Sequence, residues 1–408
     1  MICGLLGRKL GHSYSPQIHA QLGTYRYSLF EKEPEELEDF LKHGDFSGLN
    51  VTVPYKKAVI PFLDELTPVA ERLGAVNTIV RKSDGHLLGH NTDYFGFQSM
   101  AERSGVSFSE KKVLILGTGG AAVMAKAVVE EKGGHPVLIS RTGDDNYDTL
   151  EKHADASVIV NATPVGMYPN NGTSPVDLSL FPKLEGVLDL IYNPARTRLL
   201  LDAQRLGIPT ENGLWMLVAQ AKQAAEYFTG CPISDDKIGE IHRKLTRQMQ
   251  NIILIGMPGC GKTTVGGILA QKTGKTFYDA DALICQLAGR SIPEVFQEEG
   301  EDGFRRWETE ALRQLGQLSG AVIATGGGCV TRAENYPLLH QNGTIFWLQR
   351  DIGLLPTDGR PLSQKNNLAQ MYETRKPLYQ AFSHRIVCND GTAEETAGHI
   401  LQIWEDMK

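Results

Sequence analysis

Cysteine is scarce in this chain: there are six in 408 residues, and Cys3, Cys231, Cys260, Cys285, Cys329 and Cys388 include no pair at metal-ligand spacing. That scatter argues against a paired-thiolate zinc site and against a disulfide framework. Long apolar runs are missing too. Stretches such as Val113–Leu116 and Ile252–Ile255 are strand-length, far below the ~20 residues of a membrane helix, so no membrane partner is expected. The opening residues Met1–Gly7 lack the basic region, apolar stretch and small-residue cleavage site of a secretory signal, which makes a cytoplasmic address the expectation. Positive charge is not in excess either: 41 Lys and Arg against 48 Asp and Glu leave a formal charge of -7, which would repel a phosphate backbone. No nucleic-acid partner is expected, and anionic small molecules must be met by local charges. Repeats, low-complexity tracts and a Gly/Ser/Pro-rich linker are also lacking.

What remains is the composition of a globular protein, 41% hydrophobic and 22% charged, in a chain too long for one ordinary core of ~100–200 residues. Two segments share one grammar of apolar strand, glycine turn and helix: Lys112-Val-Leu-Ile-Leu-Gly117 and Asn251-Ile-Ile-Leu-Ile-Gly256. Each reads as the opening of a doubly wound α/β domain, where a parallel strand buried on both faces is almost wholly apolar. Before the first, strands are expected at Met1–Leu6, Gly48–Val53 and Val76–Val80, with a helix over Pro34–Lys42, as another α/β layer suited to a substrate. Ser234 is a plausible N-cap for an amphipathic helix carrying Ile238, Ile241, Leu245 and Met249, which runs almost directly into the strand at Asn251. The expected boundary is therefore near residue 250, with a short, stiff connection.

Gly117-Thr118-Gly119-Gly120-Ala121-Ala122 has the G-x-G-x-x-A form: the first glycine for the tight turn, the second for close approach of a pyrophosphate, and a helix N-terminus to receive the anion. The next strand, Pro136–Ile139, ends in Ser140-Arg141-Thr142 in place of the acidic residue that holds a ribose 2′-hydroxyl. An arginine there suits a 2′-phosphate, so NADP(H) is expected over NAD(H).

Around this motif stand Gly11-His-Ser13-Tyr-Ser15-Pro, Asn50-Val-Thr52-Val-Pro-Tyr-Lys56, Gly74-Ala-Val-Asn77-Thr, Asn91-Thr-Asp93, Asn161-Ala-Thr163-Pro-Val-Gly-Met167, Leu190-Ile-Tyr192 and Gly213-Leu-Trp-Met-Leu-Val-Ala-Gln220. In order and spacing they resemble the shikimate dehydrogenase family over about residues 1–230. The resemblance implies that Lys56 and Asp93 form the acid/base pair, Lys56 giving a proton to the carbonyl oxygen as NADPH delivers hydride. It implies that Ser13 and Ser15 bind the substrate carboxylate, and that Thr52, Asn77, Tyr192 and Gln220 contact the ring substituents. NADP would be held by Gly117, Thr118, Gly119, Gly120, Ala121, Ser140, Arg141, Thr142, Thr163, Leu190 and Gly213. The implied domains are a substrate lobe at 1–98 with returning helices at about 213–249, and a Rossmann domain at 99–212.

Gly256-x-x-x-x-Gly261-Lys262-Thr263 is a complete phosphate-binding loop, with backbone N–H groups to cradle phosphates, Lys262 to reach the terminal ones and Thr263 to ligate magnesium. By itself it says only nucleoside triphosphate. Tyr278-Asp279-Ala-Asp281, Gly303-Phe-Arg305-Arg-Trp-Glu308, Gly326-Gly327-Gly328, Gly359-Arg360-Pro-Leu and Arg375-Lys-Pro-Leu-Tyr379 follow it, and the ordered set resembles shikimate kinase over residues 250–408, a P-loop α/β domain. The resemblance implies ATP at Gly259, Cys260, Gly261, Lys262, Thr263, Thr264 and Arg360; magnesium at Thr263 and, through water, Asp279; and shikimate at Asp281, Arg305, Gly327 and Arg375. Asp281 would accept the proton of the attacking hydroxyl, and Arg360, in a lid, would stabilise the transferring phosphoryl group. That lid departs from the family: Asp351-Ile-Gly-Leu-Leu-Pro-Thr-Asp-Gly lacks a basic residue upstream of Arg360 and is short, so weaker nucleotide affinity is expected.

The joint expectation is a bifunctional enzyme of aromatic amino-acid biosynthesis, its partners the small molecules 3-dehydroshikimate and shikimate, since the product of one resemblance is the substrate of the other. Two alternatives stay open: a quinate-preferring dehydrogenase joined to another small-metabolite kinase, and one half retained only as a ligand-binding or scaffold module.

Overall fold

The structure is a computed structural model and describes residues 1–11, 13–355 and 368–406. Its described residues form three sheets, each built where an apolar run meets a second apolar layer. The first contains β1 (Ile2–Gly7), β2 (Arg26–Glu31), β3 (Gly48–Val51), β4 (Glu65–Leu66), β5 (Thr78–Arg81) and β6 (Leu87–His90), in the order β2-β1-β3-β5-β6-β4. β1 is parallel to β2 and β3, while β5 runs antiparallel to β3 and β6. β3 ends two residues earlier than expected because Pro54 has no N–H to extend a ladder. β5 begins later than expected, since the Val76 N–H is taken by the Lys56 carbonyl at 2.7 Å. The helix expected over Pro34–Lys42 is a 3-10 turn at Pro34–Glu36 followed by the helix Leu37–His43. Leu6, Leu41, Leu49, Val51 and Ile79 lie in the core of this layer.

The second sheet is wholly parallel: β7 (Lys112–Leu116), β8 (His135–Ile139), β9 (Val158–Asn161), β10 (Gly186–Asp189) and β11 (Thr210–Asn212), in the order β11-β10-β9-β7-β8. The direction of winding reverses between β7 and β9, the crevice where such sheets bind ligands at their carboxyl ends. The helix Asp93–Ser104 lies against Leu214–Thr229 so closely that a Cβ on Gly96 would sit 2.8 Å from the Met216 carbonyl. Gly105 and Gly230 end these two helices in the left-handed conformation that favours glycine.

The third sheet is also parallel: β12 (Asn251–Ile255), β13 (Thr276–Asp279), β14 (Ala321–Ala324), β15 (Gly343–Gln349) and β16 (Arg385–Cys388), in the order β13-β14-β12-β15-β16. β12 is buried along its whole length, as its unbroken apolar run requires.

By contact the chain divides into two compact units, the first being Met1–Gly166, Thr173–Tyr192 and Asp202–Lys244, the second Met167–Gly172, Asn193–Leu201 and Leu245–Lys408. The division falls within the helix Asp236–Met249. The reason lies in its last turn: Lys275 donates to the Arg247, Gln248 and Gln250 carbonyls, closing that end of the helix within the second unit. Ile238, Ile241, Leu245 and Met249 are all buried, as their spacing implies. The second unit also takes in residues 193–201, where Arg196 donates to the His340 carbonyl at 2.8 Å.

Burial pushes His19 and His384 down to about 3, and His90 and His242 down to about 4. Between those values and ~6.5 only the unfolded chain takes up these protons, so stability falls as pH drops from about 6.5 towards 4, by up to ~1.4 kcal/mol per pH unit for each group. Thermal unfolding followed from about pH 7 to about pH 4.5 should show a steadily falling midpoint. A midpoint that stays level would contradict the neutral burial of these rings.

Candidate active sites

In the first unit Lys56 follows β3 and Asp93 opens the helix Asp93–Ser104, where aligned peptide dipoles favour a carboxylate. Their side chains meet at 2.5 Å, Nζ to Oδ2, and remain 32% and 17% exposed, so the pair is held together yet reachable from solvent. Beside Asp93, the Thr92 N–H donates to Asn77 Oδ1 at 2.6 Å, Asn77 Nδ2 donates to Thr92 Oγ1 at 3.1 Å, and Gln220 Oε1 accepts from Thr92 Oγ1 at 3.4 Å. Asn77 and Gln220, 143 residues apart, thus share one polar cluster with Lys56 and Asp93 at its margin.

A buried ladder extends from it. The Thr78 hydroxyl donates to Asn77 Oδ1 at 3.2 Å, Asn50 Nδ2 to Thr78 Oγ1 at 3.3 Å, and Tyr27 Oη to Asn50 Oδ1 at 2.8 Å. Burial raises the Tyr27 phenol well above the ordinary value, with the nearby Ser15 hydroxyl opposing in part, so it stays protonated. Ser15 begins the helix Ser15–His19, its N–H donating to Ser13 Oγ at 3.2 Å. Between the serines, Tyr14 sets its ring edge on Tyr192 with centroids 6.2 Å apart; burial first, then Tyr14, raises the Tyr192 phenol. Thr52 donates its N–H to the Leu6 carbonyl at 2.9 Å.

At the switch point, Gly117 turns with φ 107° and donates to the Ile139 carbonyl at 2.8 Å. A Cβ on it would lie 3.1 Å from the Thr163 methyl, so the loop after β7 and the end of β9 face each other. Thr118, Gly119, Gly120 and Ala121 are exposed at the start of the helix Gly120–Glu131, presenting free N–H groups. After β8, the Thr142 N–H donates to Ser140 Oγ at 3.2 Å, and Arg141 is exposed with no hydrogen bond or ion pair among the described residues. A Cβ on Gly213 would overlap the Leu190 carbonyl, which joins those two positions.

In the second unit a cleft of about 680 Å³ is lined by the phosphate loop, by Asp279 at the end of β13 and Asp281 just beyond it, by Arg305 and Glu308, by Gly326–Gly328 after β14, by Arg350 and by Arg375. Lys262 begins the helix Lys262–Thr273 and folds back, donating to the Gly256 and Met257 carbonyls at 3.0 Å each. Cys260 is buried, its carbonyl accepting from Asn389 Nδ2 at 2.6 Å. The Thr263 hydroxyl donates to Asp279 Oδ2 at 2.8 Å, while Asp279 Oδ1 accepts from the Asp281 N–H at 2.9 Å and caps the helix Ala280–Ala288. Thr264 lines the cleft beside them. Among the described residues no group of three or more His, Cys, Asp or Glu could hold a metal. The Thr263 hydroxyl and Asp279 carboxylate are hard oxygens of the kind magnesium takes sparingly from protein, completing its shell with phosphates and water.

The triple glycine has a steric cause. A Cβ on Gly326 would lie 2.6 Å from Glu308 Oε1, one on Gly327 2.6 Å from the Pro258 ring, and one on Gly328 would overlap the Arg305 guanidinium. Arg305 is buried and ion-paired to Glu308 at 2.7 Å and to Glu301 at 3.1 Å. Burial raises Glu308, the Arg305 charge opposes it, and Asp281 adds to it. Arg375 Nη1 and Tyr379 Oη both donate to the Gly327 carbonyl, at 3.2 and 2.5 Å. Arg360 and the lid residues around it lie outside the described residues.

Sequence reasoning assigned no role to Tyr27, Asn50, Thr78, Thr92, Glu308, Arg350 or Tyr379. A lone Asn in the fully buried β3, and a Glu three residues after Arg305 on one helix, were the signals available for two of them.

The family of the shikimate dehydrogenase substrate binding domain matches residues 5–79, and the shikimate kinase family matches residues 258–405. A shikimate dehydrogenase (NADP(+)) of Clostridium perfringens strain 13 is 36% identical over 264 residues, 59% of this chain and 97% of the relative. Among solved structures, shikimate dehydrogenase 1 from Peptoclostridium difficile is 38% identical with TM-score 0.54, over 60% of this chain and 97% of that one. A chorismate mutase/shikimate 5-dehydrogenase fusion protein from Clostridium acetobutylicum is 36% identical with TM-score 0.57, over 60% and 96%. Shikimate 5-dehydrogenase from Thermus thermophilus in complex with shikimate is 31% identical with TM-score 0.53, over 60% and 98%.

Proposed function

The chain belongs to the shikimate dehydrogenase family and carries a shikimate kinase domain, and from that premise we propose that it reduces 3-dehydroshikimate to shikimate with NADPH and then phosphorylates shikimate with ATP to shikimate 3-phosphate. One observation carries the pairing. The cleft of the second unit sets a phosphate loop beside Asp281, Arg305 and Arg375, groups suited to a hydroxylated carboxylate, which is the product ascribed to the first unit.

For the reduction, NADPH supplies the hydride when bound. Lys56 gives the proton to the carbonyl oxygen, and Asp93, 2.5 Å away, pairs with that ammonium and holds it in place. Ser13 and Ser15 hold the substrate carboxylate; Thr52, Asn77, Tyr192 and Gln220 orient the ring hydroxyls. The cofactor lies along Gly117, Thr118, Gly119, Gly120 and Ala121, with Thr163, Leu190 and Gly213 beside it. Its 2′-phosphate meets Ser140, Arg141 and Thr142, and the support is that the Arg141 guanidinium is exposed and unspent among the described residues.

For the phosphorylation, the loop Gly259, Cys260, Gly261, Lys262, Thr263 and Thr264 cradles ATP, Thr263 and Asp279 would hold magnesium, and Arg305, Arg375 and the Gly327 backbone hold the carboxylate. Asp281 takes the proton of the attacking hydroxyl, and Arg360 keeps the charge-stabilising role that the resemblance implies. Residues 1–98 with 213–249, 99–212 and 250–408 serve as substrate lobe, cofactor domain and kinase domain, acting in the cytoplasm. No helix among the described residues is long and apolar enough to cross a membrane.

The test is to give the full chain 3-dehydroshikimate, NADPH, ATP and magnesium, and to look for shikimate 3-phosphate. An arrest at shikimate would remove the kinase activity, and quinate oxidised faster than shikimate in reverse would replace the substrate. NADPH should be preferred over NADH by about 10- to 100-fold in kcat/KM, the worth of a charge-assisted hydrogen bond, and Arg141→Asp should erode the preference. Equal use of both cofactors by the unmodified chain would overturn the role of Arg141.

A further inference from the structure

Arg350 stands one residue past the end of β15, the strand paired directly with the β12 that feeds the phosphate loop. It lines the same cleft as Gly259, Gly261, Lys262, Thr263 and Thr264. Its approach to the loop is close: a Cβ on Gly261 would lie 3.9 Å from Arg350 Nη1. Gly261, at φ 96°, is the residue whose turn points the loop N–H groups inward before Lys262.

The guanidinium at this place has no acceptor among the described residues. Its Nε is buried without a hydrogen-bond partner, and no ion pair or hydrogen bond to its terminal nitrogens exists among those residues either. The neighbouring acid, Asp390, feels the Arg350 charge but forms no ion pair or hydrogen bond with it among the described residues: its Oδ1 accepts from the Asp351 N–H at 2.9 Å and its Oδ2 from the Cys388 thiol at 2.9 Å. Asp351 Oδ1 caps the following turn by accepting from the Gly353 N–H at 2.7 Å. An arginine carries five donors that always remain charged, and holding them against a cleft wall with no acceptor is unfavourable unless a ligand supplies one. The other cations of the cleft have acceptors: Arg305 pairs with Glu308, Lys262 is turned onto two carbonyls, and Arg375 donates to the Gly327 carbonyl.

We propose that Arg350 is a phosphate-binding residue of the nucleotide site, its guanidinium donating to non-bridging oxygens of the ATP phosphate chain beside Gly261. The proposal rests on reading the second unit as an ATP-dependent kinase. A contact to the phosphate chain, away from the acceptor-side residues Arg305 and Arg375, holds substrate and transition state alike, so its loss raises KM for ATP more than it lowers kcat. This residue offers a basic contact that the segment after it, Asp351–Gly359, does not contain.

The experiment uses the full chain with Arg350→Met, which keeps the aliphatic stem, and Arg350→Lys, which keeps the charge. Arg350→Met is expected to raise KM for ATP by about 10- to 100-fold and to weaken competitive inhibition by inorganic tripolyphosphate, which has no base or sugar, by a similar factor, while Arg350→Lys recovers part of both. KM for shikimate at saturating ATP should move by less than the KM for ATP. The proposal is overturned if KM for ATP is unchanged in Arg350→Met, or if ATP is weakened while tripolyphosphate is not, which would assign the arginine to the base. NADPH-dependent reduction by the same preparation checks that the chain is folded. Should Arg350→Met fail that check, an Arg350→Lys chain with unaltered KM for ATP and unaltered tripolyphosphate inhibition would overturn the proposal alone. Failure of the unmodified chain to phosphorylate shikimate would instead sink the kinase reading, leaving direct ATP and tripolyphosphate binding to decide Arg350.

Discussion

Lys56→Ala is expected to lower the rate of 3-dehydroshikimate reduction by about 100- to 10,000-fold, the usual contribution of a placed general acid, while the same chain goes on phosphorylating added shikimate. The Lys56 carbonyl is pinned by the Val76 N–H at 2.7 Å, and the ammonium is held by Asp93 at 2.5 Å, so few conformations of the side chain remain open. Removing the amine takes away both the proton and the positive charge that opposes the growing alkoxide. Asp93→Asn should do less harm than Lys56→Ala, because it loosens the lysine without removing it. Lys262→Ala is the converse: phosphorylation should fall at least about 100-fold, as for other lost electrostatic donors, with reduction intact. Rates of the two reactions measured separately on each purified variant decide the matter. Loss of both activities in a folded Lys56→Ala chain would show that Lys56 does not act on reduction alone.

The parts of these sites that could be read in the sequence are those whose geometry is local. A strand, three left-handed glycines and a helix are contiguous from Asn251 to Thr273, so Gly256, Gly259 and Gly261 announce their conformation by being glycine. The buried helix positions Ile238, Ile241, Leu245 and Met249 are equally local, set by a 3.6-residue period. The ladder from Tyr27 through Asn50 and Thr78 to Asn77 could not be read in this way. Its members meet because β3 pairs antiparallel with β5, placing Asn50 opposite Thr78, and a register is a property of the folded sheet. The triple glycine shows a third case, for the motif was visible while its cause was not. Gly326, Gly327 and Gly328 make room for Glu308, Pro258 and Arg305, residues from two other parts of the chain. Arg350 was silent for a similar reason: an arginine after a strand usually means a solvated side chain, and only the pairing of β15 with β12 brings it to the phosphate loop.

Arg375→Ala and Arg305→Ala should both damage shikimate phosphorylation strongly, yet only the second should also destabilise the second unit. Arg375 is buried and donates to the Gly327 carbonyl, but no carboxylate pairs with it among the described residues, so its charge is available to an incoming carboxylate. Truncating it should cost ~2–5 kcal/mol of shikimate binding or transition-state stabilisation, read as a rise in KM or a fall in kcat/KM, with the melting temperature little changed and KM for ATP near its original value. Arg305 stands differently. Its partner Glu308 is 1% exposed, and burial already raises that carboxyl before the Arg305 charge pulls it back. Removing Arg305 leaves Glu308 to be buried unpaired or protonated, a loss of ~3–5 kcal/mol for a broken buried pair. Adding Glu308→Gln to Arg305→Met should recover much of that stability, because an amide carries no charge to desolvate, without recovering shikimate affinity. Thermal unfolding and shikimate kinetics on the single and double variants separate the two roles. A folded Arg375→Ala chain with ordinary shikimate kinetics would take Arg375 out of the site. A double variant that regains both stability and affinity would make Arg305 a structural counter-ion to Glu308 with no carboxylate to bind.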